Sequence, residues 1–477
     1  MQSKTRRTIT LALSGLAVSV AAAVPTGNEP QTRSELTEKA LAKMATEMQK
    51  EVEALRGWKF KRPVDVGLYT EEQVRAFLQS DRLDEADGWG EQARRLASKK
   101  MIGLVPQDCD PAKMFEDMMM SFVPGGIYDH KAKALRVTKK AGVGRGSLGV
   151  RVTLVHELIH ALDDQHFDFT RMEEEGGATS DVDHVWGAVF EGSAVVAQER
   201  YTAKVKHSNE FDSSEFQKNM KEAMEQMRAL SKAPVYVTVW FARFPCGVRF
   251  LFRGDRMAAM ALMTGSHDPG SVSDAVRTVG TNLPRSSEQI LHPEKYWQDD
   301  QRDEPVVVND EDVEKMLNAD GFRVIDTDTV GELLCAVLTS PEDKKLNPMA
   351  MGMPDYWTSA AAAGWGGDRF FLLTSGTDKE TITKQPEDLY GAWFTLWDTP
   401  ADRDEFIAGY EAHRTLSSRT VLKLGTLGAV HLFGFDSAQR DGLEKRLRTA
   451  PPKCTRDGKP WCFDGAGPRR DAQGLDA

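Results

Sequence analysis

The sequence predicts an α+β fold, with a helix-rich first domain at residues 34–300 followed by a smaller C-terminal α/β module at 310–445. Three observations support this. Segments with apolar residues at helical spacing crowd the first part, strand-like apolar runs gather in the second, and the acidic stretch Asp299–Glu304 separates them. With 477 residues, 40% hydrophobic and 28% charged, the chain can bury a sizeable core without a metal or a disulfide framework.

Lys4, Arg6 and Arg7 precede a weakly apolar run from Thr8 to Val24 that closes on Ala21-Ala22-Ala23. This is the pattern of a signal peptide over 1–23, and it predicts export to a periplasmic or extracellular place. Arg6-Arg7 leaves the general and twin-arginine routes both open. A Pro/Gly-containing linker at 24–33 comes next. Ser34–Leu55 places Leu36, Ala40, Leu41, Met44, Met48 and Val52 on one side of a helix. Pro63–Tyr69 reads as a strand, and Thr70–Gln79 as a helix capped by Thr70 with Gln73 three residues on. Gly126–Tyr128 and Ala134–Val137 read as strands joined by the polar turn Asp129-His130-Lys131. Val150–Gln165 and His184–Tyr201 have strong helix patterns, and Glu215–Leu230 a third, its Met220, Met224 and Met227 suited to core filling. Beyond the acidic break, helices are expected at Glu311–Leu317 and Val330–Leu338, and strands at Arg369–Thr374, Ala392–Trp397 and Ala429–Gly434. A Pro/Gly-rich tail occupies 446–477.

Charge and cysteine content exclude several classes. The balance of 61 Lys+Arg against 72 Asp+Glu gives a net charge of −11, which argues against a nucleic-acid partner. No stretch after the signal is apolar for long enough to span a bilayer. The five cysteines show no zinc-finger spacing. Cys109, Cys246 and Cys335 sit in apolar surroundings as small core residues, while Cys454 and Cys462 would be able to close a loop in an oxidising compartment.

The chemistry concentrates at Val155-His156-Glu157-Leu158-Ile159-His160. Histidines at i and i+4 stand one above the other on a helix, so both imidazoles can reach one ion. The neighbouring glutamate is then placed to take a proton from water that the metal has made acidic. Chance yields HExxH in roughly one or two such chains per hundred, and here Leu154, Val155, Leu158, Ile159 and Leu162 also give the helix a buried stripe. A catalytic zinc site takes three protein ligands. Glu191, set among Val189, Phe190, Val195 and Val196, is one candidate, because a carboxylate there needs a cation or strong donors. Gly192, Ser193 and Ala194 would let its helix approach the first closely. His166 is the other, at metzincin spacing from His156 but with Asp163 where that pattern has glycine. The motif also fits a second class of protein, a non-catalytic envelope protein that keeps a structural zinc.

The run His156–Leu162 followed by Glu191-Gly192 resembles the gluzincin class of zinc metallopeptidases. More closely, His156–Asp168 resembles the HELxHALxDQxFD run of a group of secreted bacterial and archaeal proteins, as do Pro284–Tyr296 and Ala361–Arg369 further on. Asp163, Ser193 and Ser287 stand where that group has glutamine, aspartate and threonine. The resemblance implies one Zn2+ held by His156, His160 and Glu191, with Glu157 as general base and a peptide or protein as substrate.

Other residues complete the expectation. Asp164, four after His160, is a candidate to orient a ligand imidazole. His292, Tyr296 and Tyr201 are candidate oxyanion donors, although a helix capped by Ser286 with Gln289 and stopped by Pro293 explains that segment as well. Ala134–Val137 is the candidate edge strand for pairing with extended substrate. Gly364–Gly367 lacks a Walker lysine and reads as a turn.

Overall fold

In the computed structural model the apolar patterns become helices and three sheets. The structure describes residues 36–83, 91–105, 125–139, 146–175, 179–206, 239–266, 268–341, 347–375, 389–414, 416, 419–461, 463 and 464. The expected signal peptide, linker and methionine-bearing helix lie outside these residues, as do Cys109 and Cys462. The fold is α+β.

The first part is built on α1 (Glu38–Arg56), with Thr37 as its N-cap and Gly57 in the left-handed conformation closing it. Strand β1 (Asp65–Tyr69) follows, then α2 (Glu71–Leu83). Thr70 and Gln73 cap α2 reciprocally, Gln73 N donating to Thr70 Oγ1 at 3.2 Å and Thr70 N to Gln73 Oε1 at 2.8 Å. Strands β2 (Gly126–Asp129) and β3 (Ala134–Thr138) complete a sheet ordered β1-β3-β2, parallel between β1 and β3 and antiparallel between β3 and β2. The expected edge strand Ala134–Val137 is therefore the middle strand, and β2 is the edge. The short turn at 130–133 folds β2 back onto β3, which already pairs with β1 on its other side.

The motif helix α3 (Gly146–Phe167) and the next long helix α4 (Ser180–Lys206) pack against one another. Both are almost wholly buried, so their apolar residues run round the helix rather than along one stripe. Helix α5 (Arg243–Leu251) lies on another side of α4. A Cβ on Gly192 would come within 2.8 Å of Gly247 Cα, so the two backbones touch there. Gly192 thus serves the α4–α5 contact and not, as the sequence suggested, the approach of α4 to the motif helix. The short helix α6 (Ser287–Leu291) is capped by Ser286 Oγ accepting from Gln289 N, as expected.

The second part begins with β4 (Val306–Val308) and α7 (Asp310–Asn318), followed by β5 (Arg323–Asp328) and α8 (Gly331–Leu338). Strands β6 (Trp365–Thr374) and β7 (Leu389–Trp397), helix α9 (Pro400–His413), strands β8 (Arg419–Leu424) and β9 (Gly428–Phe433) and helix α10 (Ser437–Thr449) complete it. The sheet is antiparallel throughout, ordered β5-β6-β7-β9-β8. Side chains alternate along β6 as the pleat requires. Phe371 and Leu373 face α7 and α10, whereas Phe370 and Leu372 join the core that α8 and α9 share with the motif helix. The expected tail is partly structured, because β10 (Cys454–Arg456) and β11 (Lys459–Trp461) form a hairpin whose β10 pairs with β4. Cys454 is buried in that hairpin, and Cys246 and Cys335 are core residues.

Candidate metal centre

Helix periodicity brings His156 and His160 to one face of α3, their Nε2 atoms 3.2 Å apart. Packing of α4 places Glu191 Oε2 at 3.2 Å from His156 Nε2 and 3.7 Å from His160 Nε2. Tetrahedral ligation with bonds of about 2.0–2.1 Å separates ligand atoms by about 3.3–3.4 Å. The triangle has the size zinc needs and the donor set zinc prefers. All three side chains are buried, His156 at 0% and the other two at 3% exposure. Burial alone would raise the Glu191 carboxyl, yet the two imidazoles facing it bring it down to about 2.

What holds the triangle was only partly foreseen. His156 Nδ1 lies 3.1 Å from Gln198 Oε1, seven residues beyond Glu191 on α4. An amide oxygen there can accept a hydrogen bond from Nδ1–H, and in that tautomer the Nε2 lone pair is left for a metal. Gln198 Nε2 in turn donates to Glu199 Oε1 at 3.0 Å. The sequence signal for this residue was its helical position, two turns after Glu191.

A second set of contacts joins the same two helices. Arg56, the last residue of α1, donates to both oxygens of Asp163 at 2.9 and 2.8 Å, and Ser193 Oγ donates to Asp163 Oδ2 at 2.6 Å. Arg56 and Ser193 also touch directly. This buried trio ties α1, α3 and α4 together. Asp163 and Ser193 therefore contact one another.

Glu157 is buried and points to the edge of the three-stranded sheet, where its Oε2 accepts from Tyr128 N at 2.9 Å. A Cβ on Gly126 would meet Thr153 Cγ2 at 2.9 Å and Glu157 Cγ at 3.0 Å, so glycine is what lets β2 lie this close.

The remaining candidates stand elsewhere. Asp164 does not orient an imidazole. It accepts from Tyr128 Oη at 2.6 Å, Lys133 Nζ at 2.9 Å and Phe169 N at 2.8 Å, which anchors the end of α3 to β2 and to the turn between β2 and β3. The helix pitch turns its side chain toward the sheet. His166 Nε2 lies 3.0 Å from Lys59 O with its ring against Trp58, apart from the His156–His160–Glu191 group. His292 pairs with Glu332 at 2.9 Å, and Tyr296 Oη donates to Asn282 O with its ring packed on Phe250. Both belong to the capped segment around α6 and are engaged there.

A family model described as a domain of unknown function (DUF8575) matches residues 320–430. That span covers most of the five-stranded sheet, with α8 and α9, and contains none of the triangle residues. No curated protein and no solved structure matches the chain. Among the described residues no helix is long and apolar enough to cross a membrane.

Proposed function

We propose that this protein is an exported zinc-dependent hydrolase, most simply a metallopeptidase, with His156, His160 and Glu191 as the metal ligands. The observation that carries the proposal is the closed triangle of three ligand atoms with Glu157 next to it on the same helix. Zinc bound by two histidines and a carboxylate supplies Lewis acidity and brings the pKa of water toward about 7. Glu157, fixed by the Tyr128 N–H, receives the proton of the attacking water and returns it to the leaving amine.

Metal analysis and peptide hydrolysis test this together. Wild-type protein is expected to hold about one zinc per chain. Glu191→Ala and His160→Ala lose zinc and activity, and Glu157→Gln keeps zinc but not activity. Retained hydrolysis in purified Glu157→Gln would falsify the mechanism.

The depth of burial favours a second reading, a structural zinc site in a binding protein. It predicts zinc that resists exchange, marked destabilisation by chelator, and no hydrolysis even in the wild type.

A further inference from the structure

The contact at His156 Nδ1 can be made in two ways. Its partner Gln198 is fully buried, and a primary amide presents an acceptor at one end and a donor at the other. With the oxygen toward the ring, Nδ1 carries a proton. With the NH2 group toward the ring, Nδ1 is bare and the ring proton sits on Nε2, the atom that faces His160 and Glu191. Glu191 by itself favours the second way, because its Oε2 lies 3.2 Å from His156 Nε2 and accepts a proton donated there. His156, Glu191 and Gln198 alone therefore do not select the ring form that offers Nε2 as a ligand.

The next residue along α4 makes the selection. Glu199 is 6% exposed, and its Oε1 accepts from Gln198 Nε2 at 3.0 Å. An ionised carboxylate has acceptors only. Turning the amide over would set its carbonyl oxygen against that carboxylate at the same separation, two acceptors with no proton between them in a buried place, where the mismatch costs most. The NH2 group is thereby held on the Glu199 side, and the oxygen is left for His156 Nδ1 at 3.1 Å. Donation then runs one way, from the ring to the amide and from the amide to the carboxylate. The negative end of such a chain strengthens each bond in it and makes the far ring nitrogen a better electron donor.

We propose that Glu199 is a positioning residue of the metal centre: acting through the Gln198 amide, it holds a proton on His156 Nδ1 and so keeps Nε2 open for a metal. The inference rests on the ligand set proposed above and adds to it the residue that decides which nitrogen of the ring is free.

Zinc affinity of the full-length chain, measured by competition with a chromophoric chelator, is compared in wild type, Glu199→Met, Gln198→Glu and Gln198→Glu/Glu199→Met. Glu199→Met is expected to weaken zinc about three- to tenfold, because part of the population then holds the inverted amide. A carboxylate at position 198 accepts at both ends and needs nothing to orient it, so in the Gln198→Glu background the same change is expected to cost no affinity. Unchanged affinity in Glu199→Met, or an equal loss in both backgrounds, as a merely structural role would give, overturns the proposal. A second readout needs no metal. With isotope-labelled histidine at about pH 8, the ring-nitrogen shifts of the metal-free wild type are expected to show His156 Nδ1 protonated, and those of Glu199→Met a substantial fraction with Nδ1 bare. Identical shifts in the two proteins overturn the proposal. Absence of zinc binding in wild type sinks the ligand set instead, and the nitrogen shifts then decide the role of Glu199 alone. Should Glu199→Met fail to fold, both readouts are taken on Glu199→Gln, which keeps the shape but meets either end of the amide, with the same outcomes expected and the same ones overturning.

Discussion

Replacing Arg56 by methionine tests the buried trio that joins the helices carrying His156, His160 and Glu191. The guanidinium and the Asp163 carboxylate are 2% and 0% exposed, and methionine keeps the apolar stem while deleting the charge and its donors. Burial holds the Arg56 guanidinium below its ordinary pKa, and Asp163 works in the opposite direction, so each charge depends on the other. In Arg56→Met, Asp163 keeps the Ser193 hydroxyl but loses its counter-charge. Stranding one partner of a buried pair costs about 3–5 kcal/mol. Leu at position 163 with Arg56 intact strands the cation at similar cost. The double variant Arg56→Met/Asp163→Leu strands nothing and should return to within about 2 kcal/mol of wild type, so the two single costs must not add. Urea unfolding at pH 7, followed by far-ultraviolet circular dichroism with an unchanged slope, gives all four values. A cost below about 1 kcal/mol for Arg56→Met, or additive single costs, would show that the trio is incidental to the alignment of α1, α3 and α4.

Three further outcomes are expected. Gln198→Ala should leave the fold intact and weaken zinc binding about 10–100-fold in chelator competition, whereas Gln198→Glu should retain tight binding. Gly126→Val should push β2 from the motif helix, lowering hydrolysis by Glu157 while zinc content stays near wild type; equal activity would remove β2 from the proposed mechanism. His431 is fully buried, neither ring nitrogen has a hydrogen-bond partner among the described residues, and burial depresses its pKa well below the ordinary value. A depressed histidine contributes stability that is present above its unfolded pKa of about 6.5 and is lost as pH falls below it. His431→Phe, among Trp393, Phe406 and Tyr410, should therefore raise stability by about 1 kcal/mol or more and flatten the acid limb of the urea midpoint.

The cluster of His156, His160 and Glu191 was legible because helix geometry is local. The i, i+4 spacing of His156 and His160 fixes their relation before any tertiary contact forms, and an apolar neighbourhood marked Glu191 as a carboxylate in need of a partner. Caps at Thr70 and Ser286 were legible for the same reason. Strand order was not, since nothing within Ala134–Val137 says whether one or two neighbours will pair with it. Here the parallel partner β1 arrives from about 70 residues upstream. Asp164 misled because i+4 spacing gives a face but not the direction in which a carboxylate finds its donors. Those donors, Tyr128 and Lys133, come from the sheet. The hairpin at 454–461 looked like tail because short strands with Pro, Gly and charge carry little periodic signal, and its pairing to β4 spans about 150 residues.

These failures share a cause that bears on how the centre is built. A metal triad must be held to within about 0.5 Å, and ligand side chains alone do not supply that precision. Helix α4 is pinned on one side by the backbone contact of Gly192 with Gly247, on another by Ser193 in the Arg56–Asp163 pair. Gln198 fixes the imidazole of His156 from the same helix. Every one of these contacts joins residues distant in sequence, so each is silent until the chain is folded. It follows that Asp163 and Ser193 should be exchanged together and not singly, because their oxygens share one guanidinium. Asp163→Asn with Ser193→Asp keeps a single carboxylate beside Arg56 and should hold zinc, whereas Asp163→Asn alone leaves the Arg56 charge without its counter-ion and should loosen the triangle it was aligning.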